Sequence, residues 1–188
     1  MILGRRIWRV ENKKPFQLEV ASIRLVKDSP ICSERPITMP EHAVELVGRE
    51  LCDMDREVVC IINLRADGVP INCNFASIGA LDQACIYPRE LFKTSILSNA
   101  ASMIIVHNHP SGNLYPSEDD TRVTDRMIKL CKLMCIPLRD HIIVGRDIDK
   151  FFSFNEKVLI YSPYIRLESD YKKLDKLYPQ VAEKRKGR

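Results

Sequence analysis

At 188 residues, 45% hydrophobic and 29% charged, the chain has the size and composition of one ordinary globular domain with a core of its own and a short remainder. No apolar run reaches the roughly eighteen residues that a membrane helix needs, and the stretch MILGRRIWRVENKK is too broken by charge for a secretory signal, so a cytoplasmic protein without membrane contact is expected. The net charge of +4 is uneven: residues 172–188 hold seven basic residues against two acidic ones, a balance of +5, so an argument for an acidic partner rests on that tail alone.

Residues 1–38 read as an N-terminal extension, with a strand in FQLEVASIRLV and an irregular connection at PICSERP. A helix is expected from about Thr38, where Thr38-Met-Pro-Glu41 fits a capping box and Val44, Val47 and Leu51 recur on one face. Residues 57–64 form a dense β-branched run, the turn Arg65-Ala-Asp-Gly68 follows, and a second strand covers about 69–76. Pro88 opens a helix running to about Asn99. Residues 103–106 read as a buried strand ending at His107, and a helix starts near Ser117 with Val123, Met127, Leu130 and Met134 as its buried stripe, stopped by Pro137. HIIVG from His141 and FFSF from Phe151 make two closing strands. Helices alternating with strands around one sheet indicate an α/β or α+β layered domain.

Seven cysteines, an odd number with no CxxC pair, point to reduced thiols; Cys131 and Cys135, four apart on one helix, are expected as small core residues. With four histidines in all, His42, His107, His109 and His141, metal sites built from five or six are out of reach. His42 is expected on a helix surface, and His141 as a hydrogen-bonded structural residue rather than a ligand.

The chemistry concentrates in HNHPSG, residues 107–112, and PSEDD, residues 116–120. Residues i and i+2 of a strand project to one side, so His107 and His109 converge where a buried strand gives way to a Pro/Gly loop. An aspartate arrives at the first turn of the next helix, with Asp119 and Asp120 pointing about 100° apart. Two imidazoles and one carboxylate suit Zn²⁺, with a fourth position left for water. HExxH is absent, as is an HxE with PCxxC, so zincin and nucleotide-deaminase arrangements fit worse. Ser117 and Asp120 also satisfy a capping signature that needs no metal. Asn108 and Ser111 could contact substrate or shape the turn, and Gly112 suits the turn's backbone.

HNHPSG followed by PSxxD resembles the JAB/MPN (JAMM) domain, in particular its bacterial RadC-like branch. Asp55-Arg-Glu57, Ser77-Ile-Gly79, Pro88-Arg-Glu90, Asn99-Ala-Ala101 and Asp140-His-Ile-Ile-Val-Gly145 strengthen the likeness, which covers about Thr38 to Ile160. The resemblance implies a JAB/MPN domain at about 39–161, a central mixed β-sheet flanked by helices and related to the cytidine-deaminase-like layered fold, followed by a basic tail at 162–188. It implies one zinc per chain held by His107, His109 and Asp120, with Asp120 favoured over Asp119 by the family register. It further implies that Glu57 takes the proton of the metal-bound water and returns it to the leaving amine, and that the Ser117 hydroxyl serves the oxyanion. The implied activity is a metallopeptidase cleaving a peptide or isopeptide bond of a protein substrate. The alternatives are a RadC-like protein acting on or bound to DNA, with the tail as nucleic-acid contact, and a non-catalytic JAB/MPN scaffold. RadC-like proteins often carry an N-terminal helix-hairpin-helix region, and with about 38 residues ahead of the domain here the DNA reading is expected to be the weaker one.

Overall fold

Val58–Leu64, seven residues with every side chain buried, forms β1. A run so rich in Val and Ile packs on both faces of a sheet, and both are covered here. The computed structural model describes residues 25–26, 30–78 and 87–160. Most of the strand expected in FQLEVASIRLV, and the whole tail from residue 161, lie outside the described residues.

The elements run α1 (Pro40–Cys52), β1, β2 (Pro70–Ile78), α2 (Pro88–Leu97), β3 (Ser102–Asn108), α3 (Glu118–Met134), β4 (Leu138–Val144) and β5 (Phe151–Ser153). They build a five-stranded mixed sheet in the order β2-β1-β3-β4-β5. Only β3 and β4 pair in parallel, and α3 is the crossover between them. The turn between β1 and β2 closes as expected, with Gly68 at φ 83° donating its N–H to the Arg65 carbonyl at 3.0 Å. α1 covers one face, where Val44, Val47 and Leu51 meet Cys60, Ile62, Ile104, Val106 and Ile142. Leu91 and Phe92 of α2 and Met127 and Cys131 of α3 cover the other, against Ile61, Met103, Ile105 and Ile143. This is a mixed α+β layered domain, as the alternation of elements predicts. No helix among the described residues is long and apolar enough to cross a membrane.

Three expectations are corrected. α1 has Met39, not Thr38, as its N-cap, without a side-chain cap bond. Pro40 takes the first helical position, so the register moves one residue on and Glu41 cannot close a box with Thr38. In α3 the buried row is Thr121, Thr124, Met127 and Cys131, while Met134 is 45% exposed and Val123 and Leu130 are only half-buried. The helix fully buries two threonines, while Val123 and Leu130 pack half-buried against the same core. Cys131 is in the core, but Cys135 is the exposed C-cap in a left-handed conformation.

One buried carboxylate ties β4 to β5. Asp140 accepts hydrogen bonds from the backbone N–H groups of His141 at 2.7 Å and Asn155 at 2.9 Å, and from the Ser153 hydroxyl at 2.6 Å. Burial outweighs these bonds and pushes its carboxyl up to about 6. Below its ordinary value of 3.8 both folded and unfolded chains are protonated, and the group costs nothing. As pH rises toward 6 the unfolded chain ionises first, so stability falls, and above 6 the full cost applies. Asp140→Asn keeps an oxygen for both N–H groups and removes the ionisation. We expect this variant to melt higher than the parent at pH 8, by an amount on the order of 1–3 kcal/mol, with little difference at pH 4. An equal effect at both pH values in thermal melts would contradict this account.

Candidate metal centre

β3 carries His107 to the C-terminal end of the sheet, and the chain then turns at Pro110 and Gly112 before α3 begins. Gly112, at φ 77°, donates to the His109 carbonyl at 2.9 Å and closes that turn. Ser117 is the N-cap of α3 and forms a complete capping box with Asp120. Its hydroxyl accepts from the Asp120 N–H at 3.1 Å, and Asp120 Oδ2 accepts from the Ser117 N–H at 2.7 Å and hydroxyl at 2.6 Å. The carboxylate is thereby aimed back across the turn at the histidines.

His107, His109 and Asp120 converge. The two Nε2 atoms lie 3.0 Å apart, Asp120 Oδ1 is 3.1 Å from His107 Nε2, and Oδ2 is 3.3 Å from His109 Nε2. They are the one group of three or more such side chains among the described residues with the spacing of a metal site. Both histidines are buried, at 3% and 8% exposure, and Asp120 is half-buried. Asp119 points away, its side chain 82% exposed beside Arg122, so the choice between the two aspartates falls on Asp120.

Electrostatics keep the cluster charged. Burial works against ionised Asp120, yet hydrogen bonds from His107, His109 and Ser117 hold its carboxyl far below the usual range. Burial likewise opposes protonated His109, but bonds to Asp120 and the Asn113 carbonyl, with the charge of Glu57 adding to them, raise its pKa above the ordinary value. His109 Nδ1 donates to that carbonyl at 2.6 Å, which leaves Nε2 facing the cluster. One carboxylate and two imidazoles, whose ligand atoms all lie within 4.8 Å of one another, make a donor set that suits zinc.

Glu57 is half-buried immediately before β1. Val59 pairs with His107 across the antiparallel strands, so continuing that register sets Glu57 beside His109. Its backbone is held by a residue whose role the sequence left open. Asn108 Oδ1 accepts from the Val58 N–H at 2.7 Å, and its amide donates to the Arg56 carbonyl at 2.9 Å, so one side chain grips the chain on both sides of Glu57. Asn108 is 1% exposed, and both ends of its amide are used on the backbone at the start of β1. Asn108→Ala should cost about 1–3 kcal/mol in a denaturation experiment, because it leaves a buried N–H unpaired. A cost below about 0.5 kcal/mol would show that water replaces the amide.

His141 stands outside the three-residue group. It is buried behind His107, with Nε2 at 2.8 Å from His107 Nδ1 and Nδ1 at 2.6 Å from the Thr124 hydroxyl, and its ring stacks on Phe154. Burial, helped by His107, pushes it down to about 3. Thr124 was not singled out from the sequence, although a threonine four residues after Asp120 on the same helix face is a readable signal.

Residues 37–159 match the family model described as the RadC-like JAB domain. The chain belongs to this family. Among curated relatives, a UPF0758 protein of Protochlamydia amoebophila is 40% identical over 119 residues, 63% of this chain and 51% of the relative. One from Desulforamulus reducens is 42% identical over 124 residues, 66% of this chain and 54% of the relative. The chain thus spans about half the length of the curated relatives it matches. The shared region holds every element of the sheet and all the residues of the cluster.

Proposed function

We propose that this RadC-like JAB domain is a zinc-dependent hydrolase that cleaves a peptide or isopeptide bond of a protein substrate. The observation that carries the reading is the meeting of His107 Nε2, His109 Nε2 and an Asp120 carboxylate oxygen beside a glutamate that is not one of the three. Zinc held there would supply Lewis acidity, acidifying water and polarising a carbonyl. His107 and Asp120, at the two ends of the β3–α3 turn, and His109 within it would hold the metal.

On this reading Glu57 is the proton carrier, which its charge acting on His109 supports. It takes a proton from the attacking water and delivers it to the departing amine nitrogen, so one carboxylate acts first as base and then as acid. Asn108 fixes the peptide that bears it. The Ser117 hydroxyl has one hydrogen, and here it goes to Asp120 Oδ2; serving an oxyanion requires it to swing from the carboxylate to the substrate oxygen. The Ser117 N–H keeps its own bond to Oδ2 throughout, so Asp120 stays aimed.

The direct test is to load the full chain with zinc and offer it a peptide library and isopeptide-linked substrates. Cleavage that a chelator stops and zinc restores supports the reading. Stoichiometric zinc without turnover on any substrate would favour a non-catalytic scaffold instead.

A further inference from the structure

His107 can give its Nε2 lone pair to a metal only if its proton sits on Nδ1, and a buried Nδ1–H needs an acceptor. The row of groups behind it supplies one. Thr124 Oγ1 lies 2.6 Å from the Asp120 backbone carbonyl and 2.6 Å from His141 Nδ1. A carbonyl only accepts, so the single hydroxyl hydrogen points to Asp120 and Thr124 is left to accept from His141 Nδ1–H. A neutral imidazole carries one proton, so His141 Nε2 accepts the His107 Nδ1–H across 2.8 Å. Every hydrogen in the row then runs from His107 toward the backbone of Asp120, and Nε2 is the His107 nitrogen left to face Asp120 and a metal. The row begins and ends on two members of the same cluster, so it also locks α3 to β3 and β4.

We propose that His141, with Thr124 behind it, is the positioning residue of this centre: it holds His107 in the Nδ1-protonated form and so sets the affinity for zinc. The proposal rests on the reading of the cluster as a zinc site. Thr124 is buried at 3% exposure and His141 at 2%, so neither is placed to touch a substrate. Packing alone would need an aromatic ring at 141 to stack on Phe154, and a β-branched side chain at 124, but no polar atom at either.

The test is zinc affinity of the full chain by chelator competition, with ¹⁵N NMR of the histidine rings in the loaded protein. His141→Phe keeps the stacked ring and removes both nitrogens. Thr124→Val keeps the shape and removes the hydroxyl, and Thr124→Ser keeps the hydroxyl. The expected result is a zinc Kd weakened about 10–100-fold in His141→Phe and Thr124→Val, near-parental affinity in Thr124→Ser, and an Nδ1-protonated His107 in the parent. Should His141→Phe fail to fold, the valine and serine variants carry the comparison by themselves. Parental affinity in Thr124→Val, or an equal loss in Thr124→Ser, would overturn the proposal. A parent that binds no zinc would instead refute the metal reading on which it rests, so the two failures are distinct.

Discussion

Replacing His107 and His109 together by alanine is expected to abolish zinc in the purified chain while leaving it folded. Two of three ligands go, and no other group of metal-ligating side chains exists among the described residues to take the ion over. The fold has independent support: apolar clusters on both faces of the sheet reach from α1 through to α2 and α3, and they do not pass through the cluster. A domain with such a core does not depend on metal for folding as a zinc finger does. Asp120→Ala should behave differently. It removes a ligand and also half of the capping box, so it should lose zinc and in addition about 1 kcal/mol of metal-free stability. Elemental analysis with thermal melts of the metal-free proteins separates the two effects. Full zinc occupancy in the double histidine variant would end the assignment, and complete unfolding of the parent by a chelator would make the metal structural.

The part of this centre that is legible in the sequence is the part that is local. His107 and His109 are two residues apart at a strand end, and Ser117 and Asp120 three apart at a helix start, so strand and helix periodicity alone bring each pair to one side. Likewise the buried strands β1 and β3 stand where β-branched runs place them. What sequence spacing does not reveal comes from pairing between distant strands. His141 stands behind His107 because β3 and β4 pair in parallel with Ile105 opposite His141, and nothing near residue 141 announces that register. Asn108 grips Arg56 and Val58 across about fifty residues of chain, through the antiparallel pairing of β1 with β3. The misread stripe of α3 has the same origin. Val123 and Met134 fit an apolar periodicity, but Val123 packs only half-buried and Met134 is exposed, while Thr124 is fully buried with its hydroxyl against His141 Nδ1 on β4. Hydrogen bonding at the centre overrides the hydrophobic pattern. In α1, a proline at the first turn overrides a capping signature that ignores it.

Glu57→Gln is expected to leave zinc in place and to slow amide hydrolysis by about 10²–10⁴-fold, the range typical of losing a general base. The substitution keeps the shape of the side chain and removes its ability to hold a proton. Retention of zinc follows from the geometry, since Glu57 stands outside the three-residue group and reaches His109 through its charge. Fold and placement should also survive, because Asn108 holds the backbone of Arg56 and Val58 and not the carboxylate. Ser117→Ala provides the contrast. It too should keep zinc, because the Ser117 backbone N–H still orients Asp120, but it loses the cap hydroxyl and with it about 1 kcal/mol of stability. If that hydroxyl also serves the oxyanion, its turnover falls by roughly 10²–10³-fold. Rate comparison needs a substrate found with the parent, and Glu57→Gln, expected to bind but to turn over slowly, is a reagent for trapping candidates in cell extract for mass spectrometry. Parental rates in Glu57→Gln would show that the proton travels by another group, and the hydrolytic mechanism would then have to be rebuilt around a different base.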